Sequence, residues 1–373
     1  MSPPIQLRED LTAGLRAALP ELETLRDAAQ GASLFLVGGA VRDLLLGRER
    51  SDVDVVVEGD AADVAARLGG EVLEHKRFAT AMAGLGEIEV DLATARTESY
   101  AHPGALPEVR PATLAEDLAR RDFTINAMAI PLQGEPELLD PHSGHDDLAA
   151  GVVRVLHPGS FRDDPTRALR AARYAARFGF RVEAETERLL RDADLATVSR
   201  ERVEAELRKI AAEPAAAGAV EMIAGWGLLE PRRGAPALIV ALDELLSRPP
   251  WSEVVPREQA VLAAIGPPRG EAELAATRPE RPSEAVELAR GHAPAELALA
   301  RAMGAEWLER YIGEWRSVVL EIDGSDLIAA GVREGPAIGR GLAEALRRKL
   351  DGEIEGREQE LAAALEAARG AGD

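Results

Sequence analysis

Two aspartates, Asp52 and Asp54, lie two residues apart at the start of the apolar segment DVDVVV. Alternate residues of a β-strand point to the same face, so the segment predicts two neighbouring carboxylates on one strand. Their charges repel each other unless a cation lies between them. Carboxylate oxygens are ligands that Mg²⁺ prefers, and we expect Asp52 and Asp54 to bind this ion.

A glycine pair precedes this strand, where the apolar run LFLV leads into Gly38-Gly39 and then into a helical segment. Glycine allows close approach of a ligand to the backbone, and the first turn of a helix offers unpaired N–H groups to phosphate. With the two carboxylates, the pair predicts a site for a triphosphate and its metal. The alternative is a glycine turn beside two surface aspartates, which the combined spacing disfavours.

A third carboxylate, Asp91, follows in EIEVDLATAR, which is predicted to be another strand of the same sheet. Three acidic groups can hold two magnesium ions, which activate an attacking 3′-hydroxyl and neutralise a triphosphate. Asp52, Asp54 and Asp91 are therefore the candidate catalytic residues. The alternative for Asp91 is an aspartate that ends its strand in a turn.

Charged residues next cluster in DLARRDFTINAMA, which contains Arg120, Arg121 and Asp122 and, four residues later, Asn126. Side chains at this spacing lie one helical turn apart. They could grip phosphate and ribose. The alternative is an exposed helix face.

A row of arginines follows the N-cap and first-turn pair Asp164-Pro165. A carboxylate accepts hydrogen bonds and a guanidinium only donates them. Asp164 with Arg167 therefore favours adenine and cytosine, whose amino group lies beside a ring-nitrogen acceptor. The alternative is that Asp164 only caps the helix and the arginines pair with nearby acids. Spacing of three or four residues places the arginines on one helix face, which suits phosphate: Arg167, Arg170, Arg173 and Arg177.

The elements that must position these groups follow from periodicity and composition. With 373 residues, two or more domains are expected. Strand-like and helical runs alternate over residues 31–100, with a helix from Ala61 to Leu68; residues 100–112 are predicted to form a loop. Helical spacing prevails after residue 151, and the last twenty residues predict a solvated helix with a frayed end.

Bulk composition restricts the class of protein. The chain has no cysteine, which excludes disulfides and thiolate metal sites and fits a reducing compartment. A net charge of −21 argues against general affinity for nucleic acid, so any RNA site must be local. The N-terminus lacks a signal-peptide pattern and no apolar run approaches about 18 residues, so we expect a cytoplasmic protein without a membrane segment.

In their order, five motifs resemble those of the class II tRNA nucleotidyltransferases, the bacterial CCA-adding enzymes with their CC-adding, A-adding and poly(A) polymerase relatives. The motifs are GGAVRDLLLG, VDLATARTE, EDLARRDFTINAMA, LLDPHSG and DDPTRALRAARYAARFGF. The resemblance implies an α+β fold with a polymerase-β-like head over residues 1–150. It also implies an all-helical neck over 151–215 and a tRNA-binding body and tail over 216–373.

The function implied by the resemblance is magnesium-dependent transfer of CMP or AMP from CTP or ATP to the 3′ end of tRNA, with release of pyrophosphate. Asp164 and Arg167 would act as the amino-acid template that selects these nucleotides. A weaker similarity to the family's tail covers residues 322–340, where Gly335-Pro336 could place N–H groups against an RNA phosphate. A helix–turn–helix connector would look the same. The nucleotide-binding residues predicted in all are Gly38, Gly39, Arg42, Arg121, Asn126, Asp164, Arg167, Arg170 and Arg173.

The chain departs from the family at Asp163, where a glutamate is usual, and residues 216–373 contain His292 as their only histidine, so no His-Asp phosphohydrolase is predicted. Within the family the alternatives are a CC-adding or A-adding enzyme, and a poly(A) polymerase, which would favour a basic tail that this acidic one is not. Outside it, the alternative is an inactive RNA-binding protein. Such a protein would lack a metal carboxylate or the Asp164/Arg167 pair, and the sequence has both.

Overall fold

The computed structural model describes residues 5, 7–48, 53–69, 80–85 and 88–370. Contacts divide the chain into two compact units, Met1–Glu230 and Pro231–Asp373. The finer division into head, neck, body and tail stays a prediction. No helix in the described ranges is both long and apolar enough to cross a membrane.

The first unit begins as an α/β region and continues in helices, with short 3₁₀ turns at Thr124–Asn126, Leu190–Asp192 and Leu195–Thr197. The α/β region comprises α1 (Leu11–Ala18), α2 (Leu22–Ala29), β1 (Ser33–Val37), α3 (Gly39–Leu45), β2 (Val53–Glu58), α4 (Ala61–Arg67), β3 (Thr80–Leu85), β4 (Ile88–Thr94), β5 (Arg96–Ser99), β6 (Glu108–Pro111), α5 (Leu114–Ala119), β7 (Ala129–Pro131), α6 (Gly144–Ala149) and β8 (Val152–Val153). The later elements are α7 (Ser160–Asp163), α8 (Thr166–Phe178), β9 (Arg181–Val182), α9 (Ala184–Leu189), α10 (Arg200–Ala212) and α11 (Ala216–Gly225).

Five described strands of this unit form a mixed sheet in the order β3-β4-β2-β1-β7. Strand β2 is parallel to β4, and the other pairs are antiparallel. Val55 and Val57 of β2 face the core formed with α1 to α4, whereas Val56 packs with Leu118 of α5 on the opposite face. A nearly continuous apolar run is typical of a strand covered on both faces. The sheet is therefore a fixed support for side chains on β1, β2 and β4.

Helix α8 separates small residues from arginines. Four of its alanines are buried, among them Ala168, Ala171 and Ala175, and the helix packs against α11. It ends at Gly179, whose left-handed φ of +69° forms the C-cap that glycine favours. The buried alanine side fixes the helix axis, which leaves the arginine side for the site described below.

Strand structure extends further than the sequence predicted. The predicted loop over residues 100–112 contains β6, which pairs antiparallel with β5 as a two-stranded hairpin. The prolines misled the prediction, because an edge strand with one neighbour accommodates Pro111. Strands β8 and β9 also form a short parallel pair in the region predicted to be helical.

The second unit is helical over its described residues, with a 3₁₀ turn at Trp315–Ser317. Its helices are α12 (Ala235–Leu245), α13 (Trp251–Val254), α14 (Arg257–Ile265), α15 (Glu271–Ala276), α16 (Pro282–Ala289), α17 (Pro294–Ala302), α18 (Leu308–Gly313), α19 (Gly324–Ala329), α20 (Pro336–Leu350) and α21 (Gly356–Arg369).

The C-terminal helix α21 is not the solvated helix predicted from its composition. Ala363 and Ala364 are buried in a small core shared with α19 and α20. Glu360 is fully buried and forms an ion pair of 2.6 Å with Lys349 of α20. The prediction failed because alanines permit close helix packing although they carry little apolar surface. Residues 371–373 lie outside the described ranges.

Two glycines of α20 allow a matched test of this contact. A Cβ on Gly341 would lie 2.6 Å from the Ala364 carbonyl oxygen, whereas nothing lies within 4 Å of one on Gly339. We expect Gly341→Ala to lower the free energy of unfolding by about 2 kcal/mol through overpacking. Gly339→Ala should raise it by up to about 1 kcal/mol, because glycine disfavours helix interiors. Urea unfolding of the full chain measures both, and equal effects would contradict the close contact between α20 and α21.

Candidate active site

A cavity of about 450 Å³ opens in the first unit between the turn after β1, the segment after α5, and α8. Eight arginines and four acids line it, so its wall is cationic in a chain of net charge −21. A chain with this negative net charge can bind a polyanion only where its surface is locally positive, and this cavity is such a place. Every residue predicted to bind nucleotide is in the lining: Gly38, Gly39, Arg42, Arg121, Asn126, Asp164, Arg167, Arg170 and Arg173.

The turn from β1 into α3 needs glycine for two reasons. Gly38 has φ +64° and ψ −127°, a conformation that residues with a side chain rarely adopt. A Cβ at this position would lie 2.7 Å from Nη1 of Arg121. The glycine therefore allows the Arg121 guanidinium to lie directly against the backbone of the turn.

Two of the three predicted carboxylates lie side by side. Asp54 of β2 and Asp91 of β4 are direct partners in the parallel register, so both side chains point to the same face of the sheet. Asp54 lines the arginine-rich cavity and also an adjoining cavity of about 330 Å³, which Asp91 lines as well. Asp91 lies in the middle of its strand, so the alternative of a strand-ending turn residue is wrong.

The third carboxylate, Asp52, lies outside the described residues. Over the described ranges, no group of three or more side chains suited to metal binding is found. Carboxylates in register on adjacent strands, one of them exposed and one half-buried, fit a divalent cation by the chemistry of their oxygens. The candidate metal ligands in the described part of the site are thus Asp54 and Asp91.

Arg42 is buried and held from several sides. Its Nε and Nη2 donate to the Asp43 carboxylate, and its Nη1 donates to Oδ1 of Asn126 at 2.7 Å. The guanidinium also lies over the ring of Phe178, 4.7 Å from its centroid. Burial lowers the pKa of Arg42, but the carboxylate of Asp43 outweighs it and the pKa lies above its ordinary value. Arg42 is thus a fixed positive charge at the cavity wall.

Two buried aspartates organise the segment after α5. Asp117 accepts hydrogen bonds from Arg120 at 2.6 Å and from Arg121 at 2.9 Å. Burial would raise the pKa of Asp117, but these arginines outweigh it and hold the pKa below its ordinary value. The alternative of an exposed helix face is therefore wrong for this segment.

Asp122 links the same segment to α8. One oxygen accepts from Phe123 N and Asn126 Nδ2, and the other pairs with Arg170 at 2.6 and 2.8 Å. Burial opposes ionisation of Asp122, but Arg170 and the Asn126 amide outweigh it and lower the pKa to about 2. The carboxylate fixes the first arginine turn of α8 against the sheet side of the cavity.

The predicted base-selecting pair, Asp164 and Arg167, lies at the start of α8. The Arg167 Nη1 donates to Oγ of the buried Ser160, and Nη2 donates to the Arg120 carbonyl, both at 2.8 Å. Oδ1 of Asp164 accepts from Thr166 N, so the carboxylate also caps the helix. Capping and lining of the cavity are combined in one residue rather than being alternatives.

The remaining arginines of α8 are paired with acids and still line the cavity. Glu213, directly after α10, lies 3.7 Å from Arg173 and 3.3 Å from Arg177. The Arg173 guanidinium also lies over the Tyr174 ring, 4.8 Å from its centroid. Ion pairs with nearby acids, the alternative interpretation of this row, are thus present together with the cavity position.

Sequence reasoning missed several lining or supporting residues. Asp117, Glu98 and Arg202 lie in contact with the predicted residues but carry no spacing signal in the chain. Tyr100 donates to Glu98 at 2.8 Å, and burial raises the pKa of its hydroxyl. Asp163, the departure from the family pattern, lies 4.0 Å from Nε2 of His157, whereas Arg167 donates to Ser160 and to the Arg120 carbonyl.

The first unit has a small mixed sheet that carries carboxylates in register on two parallel strands. A Gly-Gly turn and an arginine-lined cavity lie beside them. This combination is that of a nucleotidyltransferase. Residues 34–154 match the family described as the poly A polymerase head domain. The CC-adding tRNA nucleotidyltransferase of Deinococcus radiodurans is 35% identical over 362 residues, which cover 93% of this chain and 92% of that protein. The chain therefore belongs to the tRNA nucleotidyltransferase and poly(A) polymerase family, and the predicted family and α+β fold are confirmed.

The chain is also similar to A-adding and CCA-adding enzymes. The A-adding tRNA nucleotidyltransferase of Halalkalibacterium halodurans is 48% identical over 195 residues, 48% of this chain and 45% of that protein. The chain spans between 20% and 45% of the length of such A-adding relatives. The solved Thermotoga maritima CCA-adding enzyme complexed with tRNA matches with a TM-score of 0.75 at 30% identity, over 96% of this chain and 98% of that one.

Proposed function

We propose that this protein transfers CMP, AMP or both from CTP or ATP to the 3′ end of tRNA and releases pyrophosphate. One observation carries the proposal: a single cavity is lined by Asp54 of the sheet and by Asp164 and Arg167 at the start of α8. Its relatives are named as CC-adding, A-adding and CCA-adding enzymes of tRNA, which supports tRNA as the acceptor.

Asp54 and Asp91 are proposed to hold Mg²⁺, together with Asp52 as the sequence predicts. The bound ion would supply activation of the 3′-hydroxyl and neutralisation of the triphosphate. The residues of the chain provide the positions: the glycine turn admits the triphosphate close to the backbone, and the arginines of α8 bind its charge. Preorganised cations around the phosphates are the main contribution that a protein makes to such a transfer.

Base selection is proposed for Asp164 and Arg167. Cytosine and adenine offer an amino donor to the carboxylate and a ring-nitrogen acceptor to the guanidinium. Uracil and guanine present the reverse pattern, which leaves buried polar groups unpaired and costs affinity. One pair of side chains can therefore accept CTP and ATP and reject UTP and GTP.

The division of labour along the chain follows the same proposal. The head over residues 1–150 performs the transfer, the neck over 151–215 selects the base, and the body and tail over 216–373 bind tRNA. Helix α20 begins at Pro336 after Gly335, as the sequence predicted, and we propose that its exposed start contacts RNA phosphate. We also propose a cytoplasmic location, in keeping with tRNA as the proposed substrate.

The test uses purified protein, Mg²⁺ and three tRNA transcripts that end at the discriminator base, after CC and after CCA. Each is incubated with labelled CTP, ATP, GTP or UTP. We expect incorporation of CTP, ATP or both and rejection of GTP and UTP. Completion of the first transcript to CCA identifies full CCA addition, and use of CTP alone or ATP alone identifies a partial enzyme.

Two outcomes would contradict the proposal. Long runs of A on any RNA would identify a poly(A) polymerase instead. No incorporation by folded protein that binds Mg²⁺ would favour an RNA-binding protein without transfer activity.

A further inference from the structure

Arg202, in the first turn of α10, connects the predicted base-selecting carboxylate to a loop. Its Nη2 donates to Oδ1 of Asp164 at 2.9 Å, and its Nη1 donates to the carbonyl oxygen of Gly104 at 2.9 Å. The Arg202 side chain is 25% exposed and that of Asp164 20% exposed, so water screens this pair only in part. The planar fork of one guanidinium thus fixes two partners at a defined angle.

Within the described ranges, the side-chain hydrogen bonds of Asp164 all use Oδ1. That oxygen accepts from Thr166 N at 3.0 Å, from Thr166 Oγ1 at 2.7 Å and from Arg202. A carboxylate has two oxygens and about four acceptor positions. With Oδ1 engaged by three donors, rotation of the carboxylate is restricted and Oδ2 is the acceptor left for a base.

The loop that contains Gly104, the second partner of Arg202, is closely packed. A Cβ on Gly104 would lie 2.5 Å from Oγ1 and 2.6 Å from the carbonyl oxygen of Thr197, just before α10. Gly104 also has φ +72°, which favours glycine. The carbonyl that Arg202 contacts is therefore held against the segment before α10, and the position of the guanidinium is fixed from its far side.

The charge pattern of α10 supports a dedicated role. Arg202 and Glu206 of α10, and Glu213 directly after it, face α8, where Glu206 lies 3.9 Å from Arg170 and Glu213 lies near Arg173. Each of the three carries the charge opposite to its partner. Of these three, Arg202 is the one that contacts the base-selecting pair.

We propose that Arg202 is a positioning residue for base selection: it orients the Asp164 carboxylate so that one oxygen faces the amino group of cytosine or adenine. This inference rests on the proposed function, because it gives a role in nucleotide choice to a residue that acts through Asp164. Without the fork, Oδ1 keeps only its two donors on Thr166, so the carboxylate is less restricted and Oδ2 can point in more than one direction. Discrimination against uracil then falls although Asp164 is still present.

Arg202→Ala is compared with Arg200→Ala, a control on the same helix turn. Arg200 is 86% exposed and pairs with Glu204 of its own helix. Binding of CTP and of UTP to the full chain, with Mg²⁺ and without RNA, is measured by titration calorimetry, and kcat and KM are measured on tRNA. We expect Arg202→Ala to reduce the preference for CTP over UTP roughly tenfold, the effect of losing one hydrogen bond to a charged group. Arg200→Ala should keep the preference of the wild type.

Arg202→Lys separates positioning from stability. Lysine keeps one charge and can reach Asp164, but it cannot hold Asp164 and the Gly104 carbonyl with a planar fork. We expect the preference of Arg202→Lys for CTP over UTP to lie between those of the wild type and Arg202→Ala. Its thermal unfolding midpoint should equal that of Arg200→Ala. If Arg202→Ala leaves the ratio of the CTP and UTP affinities unchanged, whether or not both affinities fall, the inference is overturned.

The binding titration distinguishes failure of this inference from failure of the proposed function. A wild type that prefers CTP but does not extend tRNA would contradict the proposed function, and its variants would still test Arg202. A wild type that binds CTP and UTP equally has no selectivity for Arg202 to maintain and overturns the inference.

Discussion

Replacing Asp54 with alanine is expected to lower nucleotide incorporation by about 10³-fold or more while the protein remains folded. Asp54 lines both cavities and lies beside Asp91 in the register of β2 and β4. Loss of a metal carboxylate removes several kcal/mol of transition-state stabilisation, and each 1.4 kcal/mol corresponds to about tenfold in rate. Single-turnover incorporation of labelled CTP or ATP into tRNA measures the loss.

Asp63→Ala is the matched control for this variant. Asp63 lies on α4 of the same unit, its side chain is 70% exposed, and its ion-pair distance to Arg67 is 4.0 Å. Its removal should leave incorporation within a factor of about two, as expected for a screened surface pair. If Asp54→Ala incorporates nucleotide like Asp63→Ala, the carboxylates of the sheet do not perform the catalysis that we propose.

Replacing Asp122 with alanine is expected to lower the free energy of unfolding by about 3 kcal/mol. The half-buried guanidinium of Arg170 then loses its ion pair with the buried Asp122 carboxylate. The pKa of Asp122 falls from 3.8 to about 2 in the folded protein. Its stabilisation, about 2 kcal/mol from this shift, is therefore complete above about pH 5 and is lost as pH falls through 4 toward 2. Urea unfolding at pH 7 and at several values between 5 and 2.5 measures both effects.

Asp146→Ala provides the comparison for Asp122→Ala. The Asp146 side chain on α6 is 88% exposed, so its removal should change stability by less than about 0.5 kcal/mol. We expect the stability difference between the wild type and Asp122→Ala to shrink below pH 4, whereas that of Asp146→Ala stays small throughout. A difference that does not depend on pH would contradict the low pKa of Asp122.

The sequence predicted the parts of the site that local rules determine. The Gly38-Gly39 turn lies between a strand and a helix, Asp54 lies on a strand, and the arginines of α8 share one side, because periodicities of two and 3.6 residues decide these positions. The parallel register that brings Asp91 beside Asp54 agrees with the prediction of one sheet. Asp52 lies outside the described residues, so its position stays a prediction.

Local rules could not predict contacts between distant segments. Arg202 lies 38 residues after Asp164, and nothing in the spacing of ERVEAELRK connects the two. No role was predicted for Asp117 from the sequence, whereas the fold buries it under two arginines. The hairpin of β5 and β6 was missed because proline is a poor strand former except at an edge, and edges are set by the whole sheet.

The side chains that hold the arginines of α8 have a consequence for ligand binding. A flexible arginine loses rotational freedom when it grips a phosphate, and that loss weakens binding. In this cavity Asp122, Ser160 and Glu213 already restrain Arg170, Arg167 and Arg173, so much of that ordering takes place when the chain folds. A triphosphate would thus bind to guanidinium groups whose positions are already fixed. Its affinity would depend on the shape of the triphosphate as much as on its charge.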